Sequence, residues 1–182
     1  MEPADPGEWH LVDDEPGYAG WVTVRHRTFE MPDGSRSQWD IIDGSRTVAV
    51  VARTTTGQFL LVRQFRPGPQ RILDEVPGGY THADETVEQT AARELLEETG
   101  YRAGTITVIG STWMTANASI ERFVAIAEDC VNVAEPSFDR DEYGRVLLVD
   151  ASDMLTLVRS GQLTDQGVVY RALDYLGLLS GS

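Results

Sequence analysis

The sequence predicts an α/β fold with a helix on either side of a mixed sheet. Three observations carry that reading. The strand Val48 to Arg53 carries an unbroken apolar run up to Ala52, the mark of a strand buried on both faces. Ala92 to Thr99 is a strong helical stretch closed by Gly100, and strand-like segments lie before and after it. Two further apolar-periodic helical stretches follow near the end, over Ser152–Gly161 and from Asp165 onward.

Taken in order, residues 1–16 are Pro- and acid-rich with little periodicity and read as a loose arm, in which Trp9 and Leu11 could dock. Residues 17–182 read as one domain, of which 17–44 form an N-terminal antiparallel hairpin. Its strands are Trp21–Phe29 and Arg36–Ile42, joined by the turn signal Pro32-Asp33-Gly34-Ser35. Asp43-Gly44-Ser45 turns again into the buried strand at Val48, and Thr56-Gly57 joins that to a strand over Phe59–Phe65. Arg66-Pro67-Gly68-Pro69 is a loop leading to a short strand at Ile72–Val76.

A second loop enters the helix, with Asp84 or Thr86 as its cap and Gly100 as its stop. Strands are expected at Thr105–Ser111, Ile120–Ala127 and Arg145–Val149. Thr112–Ser119 is a polar loop carrying Trp113 and Met114. The last two helices run over Met154, Leu155 and Val158, and over Val169, Leu173 and Leu176.

Composition excludes several classes. The net charge is −14 and every one of the 15 basic residues is Arg, so a nucleic-acid backbone is repelled and an anionic ligand needs local cations. The apolar runs are a handful of residues long, too short for a membrane span, and residues 1–6 lack the basic start and apolar core of a signal peptide. A single cysteine, Cys130, leaves no internal disulfide and fits a reducing cytoplasm.

The charges on the central helix point to chemistry. Glu94, Glu97 and Glu98 are spaced i, i+3 and i+4, so they share an arc of roughly 100°. Ala92, Leu95, Leu96 and Thr99 are expected mainly on the opposite, packing side. At about 4 Å and an effective dielectric near 20, each pair of like charges costs roughly 4 kcal/mol. A hard divalent cation is the natural compensation, while the triplet alone equally fits a solvated acidic face.

The wider pattern decides between these. Gly79, five residues, Glu85, seven residues, Arg93-Glu94-Leu95, one residue, Glu97-Glu98, one residue, Gly100 and bulky Tyr101 resembles the Nudix hydrolase box at every fixed position. That resemblance implies an α/β/α sandwich with a mixed central sheet. It also implies a divalent metal, usually Mg²⁺ with Mn²⁺ as a substitute, held against a diphosphate that water attacks. Position by position, Glu94, Glu97 and Glu98 correspond to metal ligands, completed by a backbone carbonyl of Gly78 or Gly79. Glu85 and Arg93 correspond to the pair that ties the box loop to its helix.

The flanks resemble the ADP-ribose pyrophosphatase branch. Val62-Arg63-Gln64-Phe65-Arg66-Pro67 is similar to its "VRQYRP", Asp74-Glu75-Val76-Pro77-Gly78-Gly79 to its "LELPAG", and Val158 to Asp165 to its "IRSGEIxD". With these flanks the resemblance covers most of residues 20–176. It implies that Arg63 and Arg66 bind phosphate or the terminal sugar and that Glu75 binds a ribose hydroxyl or a metal, although each alone also fits a plain surface charge. It implies a homodimer in which the hairpin crosses to the partner and supplies an aromatic to the base. Trp21 lies at about that position, with Tyr18 and Phe29 as alternatives, and the pattern alone equally fits a core Trp21. The general base corresponds to an acid in the loop before the last strand: Glu142, with Asp139, Asp141 and Glu135 as alternatives. His10, His26 and His82 have no ligand-like spacing.

Two departures bear on substrate. Asn117 stands where the ADP-ribose subgroup carries a Pro, and Gly78 replaces its usual Ala. Ser119-Ile120-Glu121-Arg122 is instead similar to the "STER" run of hydrolases acting on nucleoside-diphosphate sugars such as GDP-mannose. The expectation is a Mg²⁺-dependent pyrophosphatase that splits ADP-ribose or a related nucleoside-diphosphate sugar into a nucleoside monophosphate and a sugar phosphate. The alternatives are a house-cleaning (deoxy)nucleoside triphosphate hydrolase and a non-catalytic module that senses nucleotide sugars.

Overall fold

A computed structural model of the chain describes residues 7–138 and 143–179. They group into two compact units, one holding the chain up to Ser45 with Trp113–Glu121, the other Arg46–Thr112 with the chain from Arg122 on.

The first unit is a three-stranded antiparallel sheet in the order β1-β2-β3, with β1 at His10–Ala19, β2 at Thr23–Glu30 and β3 at Arg36–Asp43. The expected hairpin is present as β2 and β3, in register from Thr23↔Asp43 to Glu30↔Arg36. The expected arm is corrected, since residues 10–16 belong to β1 and pair with β2 from His10↔Glu30 onward. Sequence periodicity misses this strand because it has no alternating apolar face. Backbone pairing and charge hold it: Asp14 bridges Arg25 at 2.6 Å and Arg27 at 3.3 Å. Trp9 adds edge contacts to Phe29 and Trp39, with ring centres 6.3 and 6.1 Å away. Pro16 is tolerated because β1 is an edge strand with a register shift just beyond it.

Residues 113–121 dock onto this sheet. Ile42 N–H donates to Asn117 O and Ser119 N–H to Ile42 O, both at 2.9 Å. Ser119 Oγ also donates to the Asp43 carboxylate.

The second unit has three layers, as the sequence predicts. Its sheet runs β11-β5-β4-β10-β8, where β4 is Thr47–Thr54, β5 Phe59–Arg66, β8 Tyr101–Arg102, β10 Glu121–Asn132 and β11 Gly144–Val149. β6 (Arg71–Glu75) pairs with β5, β7 (Gly78–Tyr80) with β4, and β9 (Thr105–Trp113) with β10. The sheet is mixed because β4 and β10 are parallel while β4 and β7, and β5 and β11, are antiparallel.

The central strands are apolar throughout because each faces two cores. Val48, Val50, Ala52, Leu60 and Ala125 pack under α1 (Val87–Thr99), against Val87, Ala91 and Leu95. Ala49, Val51, Phe59, Leu61 and Ile126 face the other way, onto Met154 of α2 (Ala151–Ser160) and Val169 and Leu173 of α3 (Gln166–Tyr175). β10 runs past the expected end at Ala127 through a register shift before Cys130, where Asp129 has φ 55°.

The box helix is strongly delimited. Thr86, rather than Asp84, caps it: Gln89 N–H donates to Thr86 Oγ1 while Thr86 N–H donates to Gln89 Oε1. The packing stripe is Val87, Ala91, Leu95, Glu98 and Thr99, so Ala91 takes the place expected of Ala92, which is exposed. Gly100 ends the helix at φ 74°, and its carbonyl accepts from Val133 N–H and Ala134 N–H. A side chain there would also strike Ala134 O. Gly100→Ala is therefore expected to lower stability by about 2 kcal/mol, read as a shift in urea midpoint at unchanged slope. A shift smaller than a quarter of that would show the left-handed cap to be unimportant.

Candidate functional site

The site grows from the approach of β7 to the helix. Pairing of Ala49 with Gly78 and Val48 with Gly79, together with Val50 N–H donating to Pro77 O at 2.8 Å, lays residues 77–80 along β4 beside α1. A Cβ on Gly78 would strike Val48 O, and one on Gly79 would strike the Glu94 carboxylate. The glycine pair lets helix carboxylates meet backbone at that point.

Glu94, Glu97 and Glu98 line one cleft of about 240 Å³ with Gly78, Gly79, Tyr80, His82, Arg93 and Ser137. The three acids and both glycines that the sequence singles out are together in this cleft. Their environments differ. Glu98 is 7% exposed and lies on the packing stripe, where its Oε2 accepts from Gly78 N–H at 3.0 Å. Glu97 is the most open of the three, and Glu94 lies between.

Arg93 ties the cleft together. Its Nε donates to Glu85 Oε1 at 2.8 Å and its Nη2 to Glu85 Oε2 at 3.0 Å, the expected loop-to-helix pair in bidentate form. Beyond that expectation, Nη1 reaches Glu94 Oε1 at 2.8 Å and Glu97 Oε2 at 3.1 Å, and Nη2 reaches Tyr80 O at 3.2 Å. One guanidinium thus offsets the mutual repulsion of three carboxylates. Its own pKa is raised by these partners, chiefly Glu85, so it stays charged at any working pH.

Among the described residues no three His, Cys, Asp or Glu side chains converge as a ready metal cage. The reason is visible in the bonds just given, since Glu94 and Glu97 turn to Arg93 and Glu98 to Gly78 N–H. The carboxylate set is nevertheless all oxygen, anionic and confined to one cleft with Gly78 and Gly79, which is the chemistry that hard divalent cations take.

The other expected residues are distributed. Arg63 lies in a separate cleft with Asp74, which it holds bidentately at 2.6 and 2.8 Å. Arg66 is bidentate to Glu75, Nε donating to Oε1 at 2.6 Å, in a third cleft with Arg122 and Asp165. The structure therefore does not bring Arg63 and Arg66 into one pocket. Trp21 belongs to the smaller unit and is 94% exposed, which removes the core reading for it. Glu142, Asp139 and Asp141 lie outside the described residues; Glu135 is exposed. Ser137, which lines the cleft, donates its N–H to Glu97 O at 2.7 Å.

Sequence reasoning missed Ser137 and Tyr80 as lining residues and the ion pair of Arg122 with Asp165 at 2.6 Å. No local signal marks Ser137, which is some forty residues from Glu97 in the chain. His82, which has no ligand-like spacing in the sequence, also lines the cleft.

The Glu85 carboxyl is held well below its ordinary value of 4.5, at about 2, chiefly by Arg93 and further by the Thr90 hydroxyl and His82 N–H, against the opposing effect of burial. A depressed acid stabilises the fold fully above its unfolded pKa and loses that contribution as pH falls towards the folded one. Stability is thus expected to drop between about pH 4.5 and 2. Glu85→Gln, measured by urea unfolding across that range, is expected to flatten the curve, with the variant least stable relative to wild type near neutral pH. Parallel curves would show that the pair contributes nothing.

With this geometry in hand, the comparisons with known proteins are specific. Residues 44–161 match the NUDIX domain family model. The ADP-ribose pyrophosphatase of Bacillus subtilis is 35% identical over 151 residues, spanning 82% of this chain and 81% of the relative. The GDP-mannose pyrophosphatase of Klebsiella pneumoniae is 28% identical over 190 residues and 95% of each chain. A crystal structure described as an ADP compounds hydrolase superposes with a TM-score of 0.80 at 18% identity, covering 97% of this chain and all of that one, and so shares the fold. With its complete box built into one cleft, this chain belongs to the Nudix family and is a Nudix hydrolase.

Proposed function

We propose that the protein hydrolyses the diphosphate of ADP-ribose or a related nucleoside-diphosphate sugar to a nucleoside monophosphate and a sugar phosphate. The observation that carries this reading is the single cleft holding Glu94, Glu97 and Glu98 against Gly78 and Gly79. Relatives named for ADP-ribose and GDP-mannose, and the flanking runs around Arg63, Arg66 and Glu75, support the substrate class.

In this reading Glu94, Glu97 and Glu98, with a carbonyl of Gly78 or Gly79, hold Mg²⁺, for which Mn²⁺ can substitute. An ion held by these residues would supply charge neutralisation of the diphosphate and a more acidic bound water. The chain's own residues do the rest. Gly78 N–H orients Glu98, and Arg93 keeps Glu94 and Glu97 on the cleft side of the helix. Glu142 takes the proton from the attacking water. The new bond forms at one phosphorus, the bridging P–O bond breaks, and the bridging oxygen leaves with the other phosphate.

The homodimer belongs to the same proposal. The three-stranded sheet presents exposed Tyr18, Trp21 and Trp39, large rings suited to a partner surface or to stacking on a base. Trp21 remains the candidate for base stacking.

The test is product analysis after Mg²⁺ incubation with ADP-ribose, GDP-mannose, UDP-glucose, CDP-choline, NADH and a dNTP. Release of a nucleoside monophosphate and a sugar phosphate is expected, abolished by chelation and reduced about 100-fold or more in Glu98→Gln. Hydrolysis of the dNTP alone would overturn the sugar-nucleotide reading in favour of a triphosphate hydrolase. Nucleotide-sugar binding with no turnover would favour the sensing module.

A further inference from the structure

A diphosphate entering the box cleft meets an excess of negative charge. Glu94, Glu97 and Glu98 line it, and Arg93, the one guanidinium among the described lining residues, is shared with a fourth acid, Glu85. The five N–H donors of Arg93 already make five bonds. Nε and Nη2 hold Glu85, Nη1 holds Glu94 and Glu97, and Nη2 also holds the Tyr80 carbonyl. None is left for a phosphate oxygen. Arg63 and Arg66 line other clefts, where they close onto Asp74 and Glu75.

His82 is the lining side chain placed to fill this gap. Its backbone is pinned on both sides by one residue: His82 N–H donates to Glu85 Oε2 at 3.3 Å, and its carbonyl accepts from Glu85 N–H at 3.1 Å. Thr81 N–H, just before it, donates to Arg46 O at 2.9 Å. Because Glu85 is itself held by Arg93, this turn keeps the ring at the cleft. The ring is not consumed there. The side chain is 62% exposed, and its Nδ1 lies 3.8 Å from Glu85 Oε2, beyond hydrogen-bond length. A neutral imidazole carries one N–H on either nitrogen, so the ring can donate without taking up a proton.

The other lining donors are placed less well. A Cβ on Gly79 would strike Glu94, so strand alternation turns the Tyr80 side chain to the opposite face, and Tyr80 meets the cleft with its carbonyl. Ser137 offers a short hydroxyl, and its N–H is already given to Glu97 O.

We propose that His82 is a substrate-contacting residue whose ring N–H donates to a non-bridging oxygen of the diphosphate. The inference rests on the nucleotide-sugar reading given above. The ring transfers no proton. Its hydrogen bond to an anionic oxygen orients the phosphate and offsets the repulsion of the acids beside it.

The experiment uses the full-length protein with Mg²⁺ and two readouts. The first is the NMR resonances of the His82 ring, told apart from those of His10 and His26 by their absence in His82→Gln. They are followed during titration with α,β-methylene-ADP and α,β-methylene-GDP. The second is kcat/KM for ADP-ribose or GDP-mannose, whichever wild type cleaves, in His82→Ala, His82→Gln and Ser137→Ala, with thermal unfolding alongside. The ring resonances are expected to shift on saturation with one of the analogues. His82→Ala is expected to lose about tenfold or more in kcat/KM at unchanged thermal stability, and His82→Gln, which keeps an N–H donor, to recover part of that loss. Ring resonances that stay put at saturation, or a wild-type kcat/KM in His82→Ala, would overturn the proposal. Equal losses in both His82 variants with a lowered unfolding temperature would overturn it too, leaving the ring a support for the Glu85 turn. A loss confined to Ser137→Ala would move the contact to that hydroxyl. Wild type that cleaves no nucleotide sugar would overturn the functional reading itself, a separate failure seen before any variant is compared.

Discussion

The guanidinium of Arg93 is the constraint on which the rest of the site depends. Three carboxylates on one helical arc repel one another, and a helix that carried them without compensation would be pushed to turn them outward into water. Arg93 meets Glu94 and Glu97 from the helix side and Glu85 from the loop side, and it also ties down the Tyr80 carbonyl. One side chain therefore fixes both the loop conformation and the aim of two acids. Glu98 is instead buried and accepts from a backbone N–H. The same guanidinium explains why the acids are not gathered as a cage: it draws Glu94 and Glu97 to itself, while Glu85 holds it from the loop side.

The helix can hold that position because its own position is over-determined. Its apolar stripe is sealed against one face of β4, β5 and β10, and a capping box and a left-handed glycine set its two ends. The opposite face of the same strands carries α2 and α3. That second layer sets the segment 162–164 beside β6, through Asp74 N–H to Gln162 O and Thr164 N–H to Asp74 O, both at 3.3 Å. In this way the layer that contributes nothing to the box cleft brings Asp165 up to Arg122 and beside Glu75.

Where sequence reading failed, the cause is physical. β1 went unread because charge pairs and backbone bonds, not an apolar face, hold it, and periodicity is blind to both. Trp21 reads as core or surface with equal ease, because hydrophobicity alone does not say which way a turn residue points. Arg63 and Arg66 read as one run, yet each closes onto a different acid: Asp74 lies directly opposite Arg63, whereas Glu75 lies opposite Val62 and Arg66 reaches it along the strand.

Much was legible from the residues alone. The buried central strands, the box helix, its glycine stop and the co-location of Glu94, Glu97 and Glu98 all follow from local periodicity and short spacing, which backbone geometry converts directly into shared faces. The Glu85–Arg93 pair was legible from its match to a known box. What only the tertiary structure decided are contacts between residues far apart in the chain: Gly78 N–H on Glu98, Ser137 on Glu97 O, Asn117 and Ser119 on Ile42, and Arg122 on Asp165. Each depends on how strands are ordered and layers stacked. No local pattern encodes that order, because it is chosen by burial of the whole sheet on both faces.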